Sequence, residues 1–431
     1  MEIQTRAYTK HSTPAHSMNK EAARRSNHQN LLVRLLGDGA PYPIFNEICY
    51  CLDVLDIIRV SRTCVGLATV YSRLRRTHWN INQKLLRFVD RPVRFRGWLG
   101  RLDALISGGF ALQFFARTVW LDSDLNIYVN ASGDALDGLL GDLQDHEGYN
   151  VTNQYFEDGN YTNSQSLDGV FSITDLSRPA RGDGGQESRI QVIRCHIPPM
   201  SVILGGSHNT GVINVISSQA AYCLFPASTF GKRHMIILGR RTRQEHLYVE
   251  KYLLRGWNIR EEPLGWAPGM ERYPEQLPLE CNKLSGDPKS TWKIELDVEG
   301  ITPPSELQTR MIECAHVSIG RRPNSHDFVQ YEIRPPFGFV SIVLKGEYLC
   351  ADEEWRRWLE RKLNDRIKTE LQGLDVKDRP PFFDDFMYTR HMFTCDFDPD
   401  WKPPLNSSWN YYDDLIWEWF DDWRYAKHCY G

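Results

Sequence analysis

The chain has 431 residues, 41% of them apolar and 12% aromatic, enough to bury a substantial core and to exclude wholesale disorder. Its 51 basic and 55 acidic side chains leave a formal net charge of −4, so there is no overall electrostatic footprint for nucleic acid or for an acidic membrane. A chain of this length predicts two or three domains.

Residues 1–28 are polar and lack an apolar h-region, so they read as a disordered tail rather than a secretory signal. Residues 29–96 read as a helical segment, with helical patterns over 48–74 and 81–89. A mixed α/β region is expected over 97–260. It opens on Ser107-Gly108-Gly109, a bend where backbone can approach a phosphate. Phe110, Ala111, Phe114 and Phe115 follow at helical spacing. Leu125, Ile127 and Val129 then alternate with Asp124, Asn126 and Tyr128, the period of a strand. Carboxylates at i and i+2 of a strand point the same way, which is how a divalent ion is gripped for phosphoryl transfer. Here the second position is an amide, Asn126.

A helix over 135–148 should end at Gly148, and strands are expected at Ile190–Cys195, Val212–Ser217 and His234–Leu238. A helix over 243–257 should end near Gly256. Arg178–Ser188 is a loop by composition, and 260–290, rich in Pro, Gly and Glu, reads as a linker or a long surface loop. The remaining segment, 261–431, predicts strands at Trp292–Val298 and Val340–Leu344 and a charged helix over Glu353–Leu374. Near the end, Tyr412, Ile416, Phe420 and Trp423 share one helical stripe, which suits a helix docked on its own core or an anchor for another protein. Asp413, Asp414, Asp421 and Asp422 beside it would repel phosphates, so stacking on nucleic acid is not expected.

Ten cysteines show no C-x-x-C spacing, and some lie in apolar runs, as Cys223 does in AAYCLF. Reduced, buried thiols and a cytoplasmic or nuclear location follow as expectations. No stretch approaches the ~18 apolar residues of a membrane span, so no membrane partner is expected. No P-loop, HExxH or Ser/His/Asp order occurs, and His208, in a polar turn, reads as a loop residue capping backbone.

Two resemblances add to this. Pro41, Ile44, Phe45, Ile48, Leu52, Asp56, Ile57, Val60 and Cys64 fall on the pattern of an F-box, from which Ala40 and Pro43 depart where that motif has Leu and Glu. Read from the residues alone, the segment is a pair of short amphipathic helices whose apolar face meets either a partner or its own domain. The resemblance implies docking on a Skp-type adaptor of cullin ubiquitin ligases, through Pro41, Ile44, Ile48, Leu52 and Ile57. Further on, ISGGFALQFF followed by DSDLNIYV resembles the nucleotidyltransferase fold. Together with Gly148-Tyr149, the strand from Ile190, the segment from His208 and Lys251–Trp257, the chain is similar over about residues 40–257 to a fungal family. That family joins an F-box-like N-terminus to a nucleotidyltransferase-like domain.

The second resemblance implies that Ser107, Gly108 and Gly109 would hold the phosphates of a nucleoside triphosphate, with Mg²⁺ as the accompanying ion. Asp124 matches the first metal-binding aspartate, Asn126 stands in the place of the second, and Gln191 falls where a third carboxylate is expected. Asp122 is the remaining candidate acid, in the turn before the strand. Amides in place of carboxylates remove charge that a hard ion needs. The expected architecture is therefore α+β: a helical F-box-like N-terminus, a mixed-sheet nucleotidyltransferase-like domain and an α+β C-terminal extension. The favoured function is recognition of an unidentified protein target on a degenerate nucleotidyltransferase fold. The rivals are a metal-dependent nucleotidyltransferase and a nucleotide-binding pseudoenzyme.

Overall fold

The computed structural model describes residues 31–131, 133–156, 169–180, 186–238, 243–260, 291–314, 318–321, 331–334, 337–350, 353–388, 401–404 and 408–430. The expected tail at 1–28, residues 261–290 of the expected linker, and residues 181–185 of the expected loop lie outside them. The chain divides into two compact units, residues 1–74 and 75–431.

In the first unit the long helical pattern from residue 48 is broken twice. Asp53 caps a new helix, Val54–Ser61, its carboxylate accepting from the Asp56 N–H at 2.8 Å. Cys64 is extended and starts a 3₁₀ turn, Val65–Leu67. Phe45, Cys49, Val54, Ile57 and Leu67 are buried. Arg73 stacks 3.8 Å from the centre of the Phe45 ring and donates to the Gly37 and Ala40 carbonyls at 2.6 and 3.2 Å.

The second unit is built on an eight-stranded mixed sheet. Its strands are β1 (Leu105–Ser107), β2 (Leu125–Val129), β3 (Asn150–Phe156), β4 (Val170–Arg178), β5 (Ser188–Cys195), β6 (Asn214–Ile216), β7 (Ala220–Cys223) and Trp292–Glu295. Across the sheet the order is Trp292–Glu295, β7, β6, β1, β2, β5, β4, β3. Neighbours are antiparallel except β2 and β5, which run parallel. The strand Trp292–Glu295 lies beyond the boundary expected after residue 260, yet it pairs with β7. The sheet is therefore not closed within 97–260. The later segment adds a strand to it, and Tyr222 on β7 donates its hydroxyl to Glu313 at 2.9 Å.

Alternation along the central strands gives the sheet two faces. Leu125, Ile127 and Val129 of β2 are buried, as are Ile190 and Val192 of β5. Asn126, Tyr128, Gln191 and Ile193 point the other way. The helix Asp134–Asp145 buries Leu136, Leu139 and Leu143 and is followed by Gly148 at φ +74°, close to the expected end.

Farther along, Trp355, Leu359, Leu363 and Ile367 of the helix Glu353–Gln372 pack with Ile416, Trp419, Phe420 and Trp423 of the helix Ile416–Tyr430. The C-terminal aromatic stripe is thus part of its own core. The strand expected at Val340–Leu344 is instead a turn between the paired strands Phe337–Phe339 and Tyr348–Cys350. The Asp413 carboxylate imposes that turn, accepting from the Lys345 and Gly346 N–H groups at 2.8 and 3.0 Å and from the Tyr348 hydroxyl at 3.1 Å. Cys49, Cys195, Cys223 and Cys314 are buried thiols, while Cys51 and Cys64 are exposed. No helix among the described residues is long and apolar enough to cross a membrane.

Candidate functional site

β1 leads directly into the glycine turn. Gly108 has φ +79° and ψ −145°, a conformation essentially reserved for glycine, and it caps the helix Gly109–Ala116. A Cβ on Gly108 would stand 3.2 Å from Asn126 Nδ2, and one on Gly109 would stand 2.9 Å from Ser123 Oγ. The glycines therefore let the turn approach the segment that carries Asp124 and Asn126. Ser107 is buried and donates its hydroxyl to the Asn214 carbonyl at 2.7 Å. That side chain ties β1 to β6, and Ser107 lines one cavity with Gly108 and Gly109.

Strand register lines up four polar residues. Ser107 pairs with Asn126 across β1 and β2, Asn126 with Gln191 across β2 and β5, and Gln191 with Asp175 across β5 and β4. The Gln191 amide donates to Asp175 at 2.8 Å. Asp175 was not foreseen from sequence.

Asp124 enters the site at the end of a fastened loop. The Arg87 guanidinium donates to the Trp120 carbonyl at 2.7 Å and also to the Ser123 carbonyl. The Trp120 N–H donates to Gln113 Oε1 at 2.6 Å. From the other side, Arg255 lies 4.1 Å from the centre of the Trp120 ring. Withdrawal from water raises the Asp124 pKa above the usual carboxylate value, and Asp175 adds to this, against Arg189, Lys251 and Arg87. Asp122 behaves in the opposite way. Burial opposes its charge, but Arg255 and then Lys251 outweigh that and lower its pKa. Arg255 grips both of its oxygens, at 2.6 and 2.7 Å. Asp122 is exposed and does not line the cavity, so it does not join Asp124 as a candidate ligand.

These elements surround a cavity of about 330 Å³. Gly108, Gly109, Asp124, Asn126, Gln191 and Lys251 form a polar end, and Ile173, Ile193 and Val202 form an apolar side with Tyr128. His208 also lines the cavity, and its carbonyl accepts from the Leu238 N–H at 2.8 Å. Lys251 and Tyr252 reach it from the helix Arg243–Leu254. Sequence reasoning missed Lys251 as a site residue, since its helical pattern alone does not say what the helix faces.

The donor set suits a divalent ion poorly. One carboxylate, Asp124, faces the cavity beside the amides Asn126 and Gln191. Hard cations favour clustered carboxylates. Among the described residues, no group of three or more His, Cys, Asp or Glu side chains could hold one ion.

On the helical unit, the residues expected to face a partner are divided. Pro41 and Ile44 are exposed, Ile48 and Leu52 are half-buried, and Ile57 is fully buried. Ile57 is a core residue, because the helix begun by Asp53 turns Val54 and Ile57 to the same side. No protein-family model matches this chain, and no curated protein matches it.

Proposed function

We propose that the sheet domain binds a nucleoside phosphate in this cavity without performing metal-dependent transfer. The observation that carries the reading is the combination of a glycine turn at a helix start with the amides Asn126 and Gln191, where transfer chemistry would need carboxylates. The first N–H groups of the helix Gly109–Ala116 have no partner within the helix, and Gly108 and Gly109, at its start, line the cavity. Ile173, Ile193, Val202 and Tyr128 offer an apolar wall for a base. The likeness of this segment to nucleotidyltransferases supports the same ligand class.

The test is calorimetric titration of the full chain with the common nucleoside triphosphates and monophosphates, beside a Gly108→Val variant. Binding lost in the variant is expected. Absence of binding at millimolar ligand would leave the turn purely structural. Release of pyrophosphate on turnover would establish the transferase instead.

A second reading belongs to the helical unit, and Tyr42, Ile44 and Tyr50, all exposed on the helix Tyr42–Cys51, favour it. There the unit recruits a Skp-type adaptor, and the sheet domain contributes recognition of a target. Leu52→Asp should abolish co-purification with such an adaptor while leaving the tryptophan fluorescence of the sheet domain unchanged. Wild-type protein that fails to capture the adaptor, where a known F-box protein succeeds, would end this reading.

A further inference from the structure

Among the described residues that line the cavity, Lys251 alone is a lysine or arginine, and it stands where the donor set for a metal is deficient. Resting on the phosphate reading above, we propose that Lys251 takes the place of the divalent ion, so that the cavity binds a nucleoside phosphate as the free anion. Lys251 lines the cavity together with Gly108, Asp124 and Asn126. Its ammonium lies 3.6 Å from Asp122, on a carboxylate that Arg255 already holds at 2.6 and 2.7 Å. Asp122 is 60% exposed, so the longer contact to Lys251 is screened by water and contributes little. Asp122 would keep its partner if Lys251 left. The weak hold of Asp122 leaves the ammonium available to an anion in the cavity that Lys251 already lines. Lys251 also acts electrostatically on Asp124, which places its charge in the same neighbourhood.

The alternative is a bound Mg²⁺ carrying the phosphate. Among the described residues lining the cavity, such an ion would find one carboxylate, Asp124, beside the uncharged amides of Asn126, Gln191 and Asn209. An ammonium needs no ligand set. It forms charge-assisted hydrogen bonds to phosphate oxygens directly, and the amide nitrogen of Asn126 and the helix N–H groups can complete the shell.

The experiment titrates ATP, AMP and inorganic pyrophosphate into the full chain, once in EDTA and once in millimolar Mg²⁺. Free ATP should bind at least as tightly as its Mg²⁺ complex. Lys251→Met should weaken binding by about 10- to 100-fold in EDTA, the range for one hydrogen bond to a charged group. Asp122→Asn should strengthen binding by about two- to five-fold, because it releases Lys251 from a weak competitor. Fluorescence and circular dichroism of both variants check that the fold is kept. Binding that needs Mg²⁺, or that ignores Lys251→Met in a folded protein, overturns this inference and leaves the phosphate reading standing. If no probe binds in either buffer, the phosphate reading falls and this inference falls with it.

Discussion

Two glycines of the sheet domain should respond to the same substitution with opposite sign. Gly108→Ala places a Cβ on a residue with φ +79° and ψ −145°, outside the regions open to L-residues. Holding a non-glycine there costs about 1–3 kcal/mol. The new Cβ would also sit 3.2 Å from the Asn126 amide, so the upper half of that range applies, about 2–3 kcal/mol. Gly141, inside the helix Asp134–Asp145, has nothing within 4 Å of a new Cβ. There alanine should stabilise by about 0.5–1 kcal/mol, through helix propensity and a less flexible unfolded chain. Urea unfolding followed by tryptophan fluorescence measures both, and all 13 tryptophans lie beyond residue 74, so the signal reports the second unit. A Gly108→Ala variant within about 0.5 kcal/mol of wild type, the range of a neutral surface change, would refute the claim that the turn requires glycine.

Two further outcomes concern the acid and amide positions. The folded-state pKa of Asp124 is raised by burial, so the folded chain holds that proton more tightly than the unfolded chain; ionisation begins to penalise folding above the ordinary carboxylate pKa, and the penalty is full once pH exceeds the raised value. Asp124→Asn should therefore stabilise the domain at neutral pH. The gain should shrink as pH falls through the raised pKa and vanish below the ordinary carboxylate range, as urea midpoints across pH would show; a gain that persists in acid contradicts the assignment. Asn126→Asp puts a second carboxylate on the cavity side of β2 and should create Mn²⁺ affinity that wild type lacks, measured by calorimetry and abolished by adding Asp124→Ala. Equal Mn²⁺ binding by wild type and variant would show that the amide is not what limits the site.

The parts of this molecule legible in sequence are those whose signal is local. Leu125–Val129 is a strand with its residues as expected, because five residues of strict alternation leave little choice of period. Gly148 and Gly256 mark helix ends through their positive φ, +74° and +86°. β1 escaped notice because three residues carry no period, and Trp292–Glu295 gave no hint that its partner would be β7. At Val340–Leu344 an apolar run misled, since the Asp413 carboxylate, far along the chain, claims the backbone that follows. In the site, the glycines, Asp124 and Asn126 were readable as a spacing. Asp175 and Lys251 were not, because strand register and helix docking place them. Asp122 shows the reverse: it stands two residues from Asp124, yet Arg255 draws it away from the cavity.

The parallel pairing of β2 with β5 has a consequence for synthesis. β5 begins about 60 residues after β2 ends, so at a translation rate of roughly 5–20 residues per second β2 waits several seconds for its neighbour. β1 waits longer on its other edge, because β6 begins only at Asn214. During that interval Ile106, Ile127 and Val129 lie on strands whose outer neighbours are missing, and an apolar strand pair with two open edges is an aggregation hazard. The nascent chain should therefore bind holdase chaperones most strongly when ribosomes stall between residues 130 and 190, and release them once β5 has emerged.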